Sequence, residues 1–327
     1  MRRATALVAV LAAVQFAGCG GGGQTSSSSS PATTTTTTAV SGSPSAGLPG
    51  QGRPSIVIGD KNFTEQFILG QLYQQALHAQ GYDVALNPDI GPTEVTIPAL
   101  QSGRITIYPE YLTSWTRDVA GIHTRFRTAQ AALGAGAAYA RGQGLRLLAP
   151  TPFSDTAAVA VTPAYAAKNG LRQLADLRRV GGNLVFGSAP QFQTDPNGLP
   201  LLQSAYGFSP INFTSLEVGA QYGALVTGQV QAAEVGTTDG QLTQPEYQLL
   251  ADPDHVFGFG NVVPVVSARA LLAEGPAFAQ TIERVDRLLT LPVMRALNAA
   301  VDLEGQTAAA VAQTFLVAHG LVPPPAP

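Results

Sequence analysis

The chain has a single cysteine, Cys19, among its 327 residues. Intrachain disulfides are therefore excluded, as is thiol catalysis by any folded part that follows it. Lysine is almost as scarce, with Lys61 and Lys168 the only two. Charged residues make up 12% of the chain, and 18 basic against 21 acidic residues leave a net charge of −3. Nothing basic and clustered is present to bind nucleic acid. The four histidines, His78, His123, His255 and His319, are scattered without a His-x₃-His or His/Glu spacing for zinc. Gly187-Ser-Ala-Pro lacks the glycine after serine that a nucleophile elbow needs. Asp252-Pro-Asp254 is too short and proline-broken for an EF-hand loop. No internal repeat is evident. The expectation is a protein that is not an enzyme and needs neither cofactor nor metal.

The N-terminus carries Arg2 and Arg3, then a short apolar stretch from Ala4 to about Val14, then Phe16-Ala-Gly-Cys19. This is the layout of a secretory signal, too short to cross a bilayer as a stable helix. The small-small-Cys ending resembles a bacterial lipobox, which implies a signal peptide over residues 1–19 and lipidation of Cys19. Phe16 departs from the usual Leu or Val, and a plain secretory peptide with an incidental cysteine is the alternative. Residues 20–54 are Gly, Ser, Thr and Pro with few apolar side chains, a composition that cannot offset the entropy of ordering. As a random coil, roughly 35 residues span about 30 Å, enough to hold a folded domain just off a membrane. A lipid on such a tether makes a peripheral anchor, not a spanning protein.

From residue 55 onward, strand-like and helical runs alternate, which predicts an α/β fold with parallel sheets covered by helices. Strands are expected at 55–59, 83–87 and 105–108, with helices at 63–80, 93–102 and 128–142. A crossover strand follows at 156–161. Strands 184–187 and 231–235 and helices 198–206 and 220–227 come next. A second crossover at 258–266 precedes helices at 276–290, 292–300 and 306–319. The predicted plan is two lobes, 55–152 plus 259–323 forming lobe I and 153–258 forming lobe II. Two crossings, with Gly258, Gly260 and Pro264 supplying backbone latitude, suit hinge closure around a ligand.

Val57-Ile-Gly-Asp-Lys-Asn-Phe-Thr-Glu-Gln66 is the most informative segment, an apolar strand running through a polar turn into a helix. Asn62 followed by Glu65 reads as an N-cap with a capping box, placing Lys61 and Asn62 where a helix N-terminus favours oxygen-rich groups. An ordinary capped helix with a surface lysine is the competing reading. The segment resembles the first strand–helix of the osmoprotectant-binding proteins of ABC importers, the glycine betaine/choline/carnitine receptors of the ProX type. Gly103-Arg-Ile-Thr-Ile-Tyr-Pro-Glu-Tyr111, Leu184-Val-Phe-Gly-Ser188, Pro196-Asn-Gly-Leu-Pro200, Thr237-Thr-Asp239 and Met294-Arg-Ala-Leu-Asn298 also resemble that family's motifs, in collinear order. The resemblance implies a type II-like periplasmic-binding-protein fold with two crossover strands as hinge. It further implies a monomeric receptor for a small-molecule solute, working with ABC permease and ATPase subunits at the outer face of the cell membrane.

Members of that family hold a quaternary ammonium head in a cage of tyrosines, because cation–π attraction is strong for a desolvated cation. By this resemblance Tyr111 falls on a cage position, Ser114 on a hydroxyl assisting the carboxylate, and Lys61 on the lysine of the first turn. Other cage positions depart from the pattern: Ala157, Gly236 and Gly260 stand where tyrosines are usual, and Asp195 where an arginine is common. Three missing aromatic faces, at roughly 0.5–2 kcal/mol each, would remove about 1.5–6 kcal/mol of binding. Phe257 or Phe259 could rebuild one wall. The candidate ligand residues are Lys61, Asn62, Tyr111, Ser114, Phe153, Asp155, Thr237, Thr238, Asp239, Phe259 and Asn261. Several have plainer roles open to them: Tyr111 as lobe packing, Phe153 and Phe259 as hinge packing, Thr237–Asp239 as a helix cap, and Asp195 as a turn residue before Pro196. Two alternatives follow for function: the same fold binding a neutral hydroxylated or aromatic solute, or a ligand sensor without transport.

Overall fold

The computed structural model describes residues 47–207 and 212–325. The signal, tether and lipidation expectations, Cys19 included, lie outside the described residues. Among the described residues ten strands form two five-stranded sheets. The first is built from β1 (Ile56–Gly59), β2 (Val84–Asn87), β3 (Ile107–Tyr111), β4 (Leu145–Leu147) and β10 (Val262–Ser267), in the order β2-β1-β3-β10-β4. The second contains β5 (Ala157–Val161), β6 (Val185–Ser188), β7 (Asn212–Ser215), β8 (Ala232–Gly236) and β9 (Gln248–Leu249), in the order β7-β6-β8-β5-β9. The architecture is α/β with two lobes.

Each sheet is mixed in the same way. β1 runs parallel to β2 and β3, while β10 is antiparallel to β3 and β4. β6 runs parallel to β7 and β8, while β5 is antiparallel to β8 and β9. The reversed strand of each sheet is the one the chain enters just after crossing between lobes. The crossing segments also touch each other, through an antiparallel bridge between Ser154 and Asn261.

Continuous apolar runs make sense here because both faces of each sheet are covered. In β5, Val159 and Val161 join one core while Ala158 and Ala160 join the core on the opposite face. In β10, Val262 and Val266 pack against the helix Thr64–Ala79 and the C-terminal helices, while Val265 packs with Trp115 and Tyr108. Pro109 of β3 lies opposite Pro264 of β10. The Pro264 carbonyl turns away to accept from the Leu148 N–H at 2.9 Å, so neither missing donor is required by the other strand.

The expected helices form over Thr64–Ala79, Thr93–Gln101, Ala129–Gly142, Leu199–Tyr206, Ala220–Thr227, Pro276–Asp286, Leu291–Asp302 and Ala308–Ala318. Two corrections concern the ends of elements. β3 occupies Ile107–Tyr111 where a strand at 105–108 was expected, because Pro109 and Glu110 continue the strand instead of ending it. The first helix begins at Thr64 with Phe63 at the N-cap and no side-chain cap bond, so the Asn62–Glu65 capping box does not form. Glu65 turns into the interior, where partners described below hold its carboxylate. After β3 the chain widens into a π-helical turn over Trp115–Val119, a local form that recurs at functional sites.

Among the described residues no helix is long and apolar enough to cross a membrane.

Candidate binding cleft between the lobes

A cleft of about 460 Å³ lies beside the crossing segments. Lobe I contributes Lys61 and Phe63 from the turn after β1, Tyr111 from the end of β3, and Ser114 and Arg117 from the turn that follows. The crossing segment contributes Asp155 and Thr156, and lobe II contributes Phe192, Asp195, Glu234, Gly236 and Phe257. A second cavity of about 410 Å³ adjoins it, sharing Phe192, Asp195, Glu234 and Gly236 and reaching Asp239.

Four aromatic rings therefore face one space. Phe63 and Tyr111 stack at 5.9 Å between centroids with 28° between planes. On the lobe II side Phe192 lies 6.4 Å from Phe257 and stacks on the buried Phe186 at 6.0 Å. Phe63, Phe192 and Phe257 lie in turns and loops or in one short helix, and each comes from a different part of the chain. The loss of aromatic faces inferred from Ala157, Gly236 and Gly260 is thus offset in number by rings at other positions. Only Phe257 of these three had been singled out from the sequence.

Lys61 lines the cleft but is only 6% exposed, and its ammonium is engaged. Its Nζ pairs with Glu110 and donates to Thr93 Oγ1 at 2.8 Å. Glu110 also accepts from Thr93 (3.1 Å), from Tyr108 (3.2 Å) and from the Tyr111 backbone N–H (2.7 Å). A charge so fully matched is an internal ion pair, not a free receptor for a ligand carboxylate.

The other predicted residues divide by position. Tyr111, Ser114 and Asp155 line the cleft, Asp239 lines its lobe II extension, and Phe259 lines a separate hinge-side cavity. Asn62 is exposed and does not line the cleft. Phe153 is wholly buried in the lobe I core, and is hinge packing. Asn261 donates to the carbonyls of Thr151 (2.9 Å) and Phe153 (3.1 Å), fastening the two crossings. Thr237 donates to Ser154 O at 2.8 Å and accepts from the Thr156 N–H at 2.9 Å, so it ties lobe II to the crossing. Thr238 is buried, and its carbonyl accepts from Asn298 Nδ2 at 2.9 Å. Asp239 makes no cap bond; its Oδ2 accepts from the Tyr222 hydroxyl (2.6 Å) and the Gly236 N–H (3.0 Å). Asp195 is exposed at the rim and accepts from the Asn197 N–H at 2.9 Å, so it serves both a turn and the cleft wall. Glu234 carries no pattern in the sequence, being a single glutamate in the middle of the otherwise apolar β8.

The electrostatics of the cleft are acidic. Burial pushes the carboxyl groups of Asp155, Glu234 and Asp239 above the ordinary carboxylate range. For Asp155 the nearby Glu65 charge adds to that effect. Ser188 donates to Glu234 Oε2 at 3.0 Å and partly opposes the rise. Burial disfavours the ionised form of these groups because it strips away the solvation a charge needs, and a cation placed among them favours that form again.

A two-lobe α/β fold with an aromatic, acid-lined cleft at its crossing segments defines a solute receptor. The profile described as the substrate-binding domain of ABC-type glycine betaine transport systems matches residues 54–318, and the chain belongs to that family. It is 33% identical over 282 residues to a glycine-betaine-binding protein of Pseudomonas aeruginosa, covering 81% of this chain and 88% of that one. It is 30% identical over 290 residues to the glycine betaine-binding protein YehZ of Escherichia coli, covering 84% and 93% respectively. The solved structure of apo YehZ superposes with a TM-score of 0.71 at 29% identity, over 82% of this chain and 99% of that one. The family is one of substrate-binding components of ABC transport, not of enzymes.

Proposed function

We propose that this chain is the extracytoplasmic, lipid-anchored receptor of an ABC importer, taking a quaternary ammonium osmoprotectant of the glycine betaine/choline type between two lobes that close on it. The observation carrying this reading is the convergence of Phe63, Tyr111, Phe192 and Phe257 with Asp155 and Glu234 on one cleft. Ring faces at roughly 0.5–2 kcal/mol each attract a desolvated cation, and buried carboxylates add to the attraction. A neutral hydroxylated solute would offer those carboxyl groups no cation to draw them toward the ionised form. The site residues in this reading are Tyr111, Ser114 and Asp155, joined by Phe63, Phe192, Phe257 and Glu234. The lobes are those delimited at residues 55–152 plus 259–323 and at 153–258, and the crossings serve as the hinge. The anchor rests on the lipobox-like run ending at Cys19, with residues 20–54 as tether, and the receptor acts as a monomer.

Titration calorimetry of the mature protein with choline, glycine betaine and carnitine, beside a neutral polyhydroxylated solute, tests the ligand class. Saturable binding of at least one quaternary ammonium solute, with none of the neutral one, is expected. The opposite preference overturns the reading. Labelling with a lipid precursor should mark the wild type and spare Cys19→Ala.

A further inference from the structure

Thr237-Thr-Asp239 and Met294-Arg-Ala-Leu-Asn298, two of the segments singled out in the sequence, meet away from the cleft. The helix Leu291–Asp302 belongs to lobe I, where Met294 and Leu297 are buried in the core. A neighbouring face of the same helix reaches lobe II. Arg295 Nε donates to the Thr237 carbonyl at 2.8 Å, and Asn298 Nδ2 to the Thr238 carbonyl at 2.9 Å. The turn Gly240–Thr243 lies so close that a Cβ on Gly240 would fall 2.6 Å from the backbone N and Cα of Ala299. Leu242 of that turn packs into lobe II. The lobes are thus joined at a third place besides the two crossings, without a covalent connection.

The first crossing stands between this joint and the cleft. Asp155 and Thr156 of the crossing line the cleft, whereas Thr237, Thr238, Gly240, Arg295, Asn298 and Ala299 line neither the cleft nor its extension. On the side of the helix, the Phe153 N–H donates to the Leu289 carbonyl at 3.1 Å, just before the helix begins. Rotation about the crossings that narrows the cleft in front widens a contact behind. Asn298 Oδ1, buried at the joint, has no hydrogen-bond partner among the described residues, so this arrangement leaves one polar group unserved.

We propose that the joint between the helix Leu291–Asp302 and the turn Gly240–Thr243 is a stop behind the hinge, which favours the open lobes and sets the receptor's affinity without touching the solute. This rests on the reading that the lobes close on a solute. Closure gives up or exchanges the bonds from Arg295 and Asn298, and that loss opposes it. A receptor's apparent affinity is its intrinsic affinity reduced by the fraction of molecules already in the binding-competent state. Loosening the joint raises that fraction, and fastening the joint lowers it. The two effects have opposite signs and come from residues outside the cleft wall.

The test pairs the radius of gyration, from small-angle X-ray scattering, with calorimetry using choline, glycine betaine and carnitine as probes. Gly240→Ala drives a methyl group into the joint without adding charge. Its ligand-free form should be more compact than the ligand-free wild type. It should bind whichever probes the wild type binds about three- to tenfold more tightly, the worth of one or two hydrogen bonds withdrawn from the open state. The counter-variant fastens the joint: Gly240→Cys/Ala299→Cys, made together with Cys19→Ser. A Cβ on Gly240 would lie 3.1 Å from that of Ala299, so a small outward shift gives the spacing of a disulfide. The oxidised form should bind at least about tenfold more weakly than the reduced form of the same chain. Wild-type compactness and affinity in Gly240→Ala overturn the stop. If Gly240→Ala folds poorly, the double-cysteine chain decides, and equal affinity oxidised and reduced overturns the stop. A wild type that binds a probe without becoming more compact overturns closure, and the stop with it. A wild type that binds none of the three overturns the quaternary ammonium reading alone, and the ligand-free radii then decide the stop.

Discussion

The Tyr111 hydroxyl donates to Oε1 of Glu65 at 2.8 Å, joining the end of β3 to the first helix inside the lobe interface. Asn298 Nδ2 donates to the other oxygen, Oε2, at 3.0 Å and at the same time to the Thr238 carbonyl at 2.9 Å. One carboxylate thus fixes the ring that forms a cleft wall and connects it to lobe II through the helix Leu291–Asp302. Burial raises the Glu65 carboxyl above its ordinary range, and these donors oppose the rise.

Tyr111→Phe and Tyr111→Ala should separate the two roles of this residue. The phenylalanine keeps the ring face and removes a donor from buried Glu65, so stability should fall by about 1–3 kcal/mol with little change in affinity. The alanine removes the face as well, and affinity for a quaternary ammonium solute should fall by roughly three- to thirtyfold. Chemical denaturation and calorimetry on the same preparations check both. A phenylalanine variant as weak in binding as the alanine one would show that the hydroxyl itself meets the ligand.

Lys61 is the second case in which the internal partner decides the outcome. Removing its charge in Lys61→Met leaves Glu110, fully buried, without a counter-ion, and breaking a buried pair in this way costs about 3–5 kcal/mol. The expected result is a lower denaturation midpoint and an equal change in affinity for choline and carnitine. A loss confined to the carboxylate-bearing solute would instead return Lys61 to the ligand.

The frame of the molecule was readable because its signals are periodic. Thr-Ala-Ala-Val-Ala-Val at 156–161 becomes β5, and the helical spacing of Ile68, Leu69, Leu72 and Leu77 places all four in the lobe I core. The cleft was less readable because its walls come from isolated residues. Phe63 follows a turn, Phe192 sits in a five-residue helix and Phe257 in a loop, so none belongs to a repeat that could announce burial or exposure. Lys61 illustrates the other limit. Its partner Glu110 is 49 residues away, and only the pairing of β1 with β3 brings them together. Asn62 read as a cap because its type and the Glu65 spacing fit, yet tertiary partners for Glu65 outweighed a local bond.

Gly260 is required by the close approach of the two crossings. Asp155 donates its N–H to the Gly260 carbonyl at 2.9 Å, and the Gly260 N–H donates to Ser154 Oγ at 2.9 Å. A Cβ at this position would fall 1.5 Å from the Asp155 carbonyl oxygen, a backbone atom that cannot step aside alone. Gly260→Ala should therefore separate the crossings, lower stability by about 1–3 kcal/mol, and weaken ligand binding because Asp155 is displaced. An alanine variant with wild-type stability and affinity would mean that the crossings tolerate a wider spacing.

Asp60, at the end of the first strand, predicts the sign of a pH effect on stability. The residue is fully buried, its Oδ1 accepts from the Asp89 N–H at 2.8 Å, and its Oδ2 has no hydrogen-bond partner among the described residues. Burial, assisted by the Asp89 charge, pushes its carboxyl up to about 7. The folded chain therefore keeps this proton over a range in which the unfolded chain, with an ordinary aspartate near 3.8, has released it. Below about pH 4 both states are protonated and the group imposes no penalty. As pH rises from there to about 7, the unfolded state is favoured progressively, and the stability lost stays lost above that point. At about 1.4 kcal/mol per pH unit, the rise from 3.8 to about 7 corresponds to about 4 kcal/mol. Asp60→Asn is neutral throughout, and its side-chain oxygen can still accept from Asp89. The variant should be more stable than the wild type at pH 8 and closely similar to it at pH 4, measured as denaturant midpoints across that range. Glu65, Asp155, Glu234 and Asp239 are raised in the same direction, so the wild-type curve reflects them all, and the difference between the two proteins isolates Asp60. A difference that does not grow between pH 4 and pH 8 would show that Asp60 ionises as freely in the folded chain as in the unfolded one.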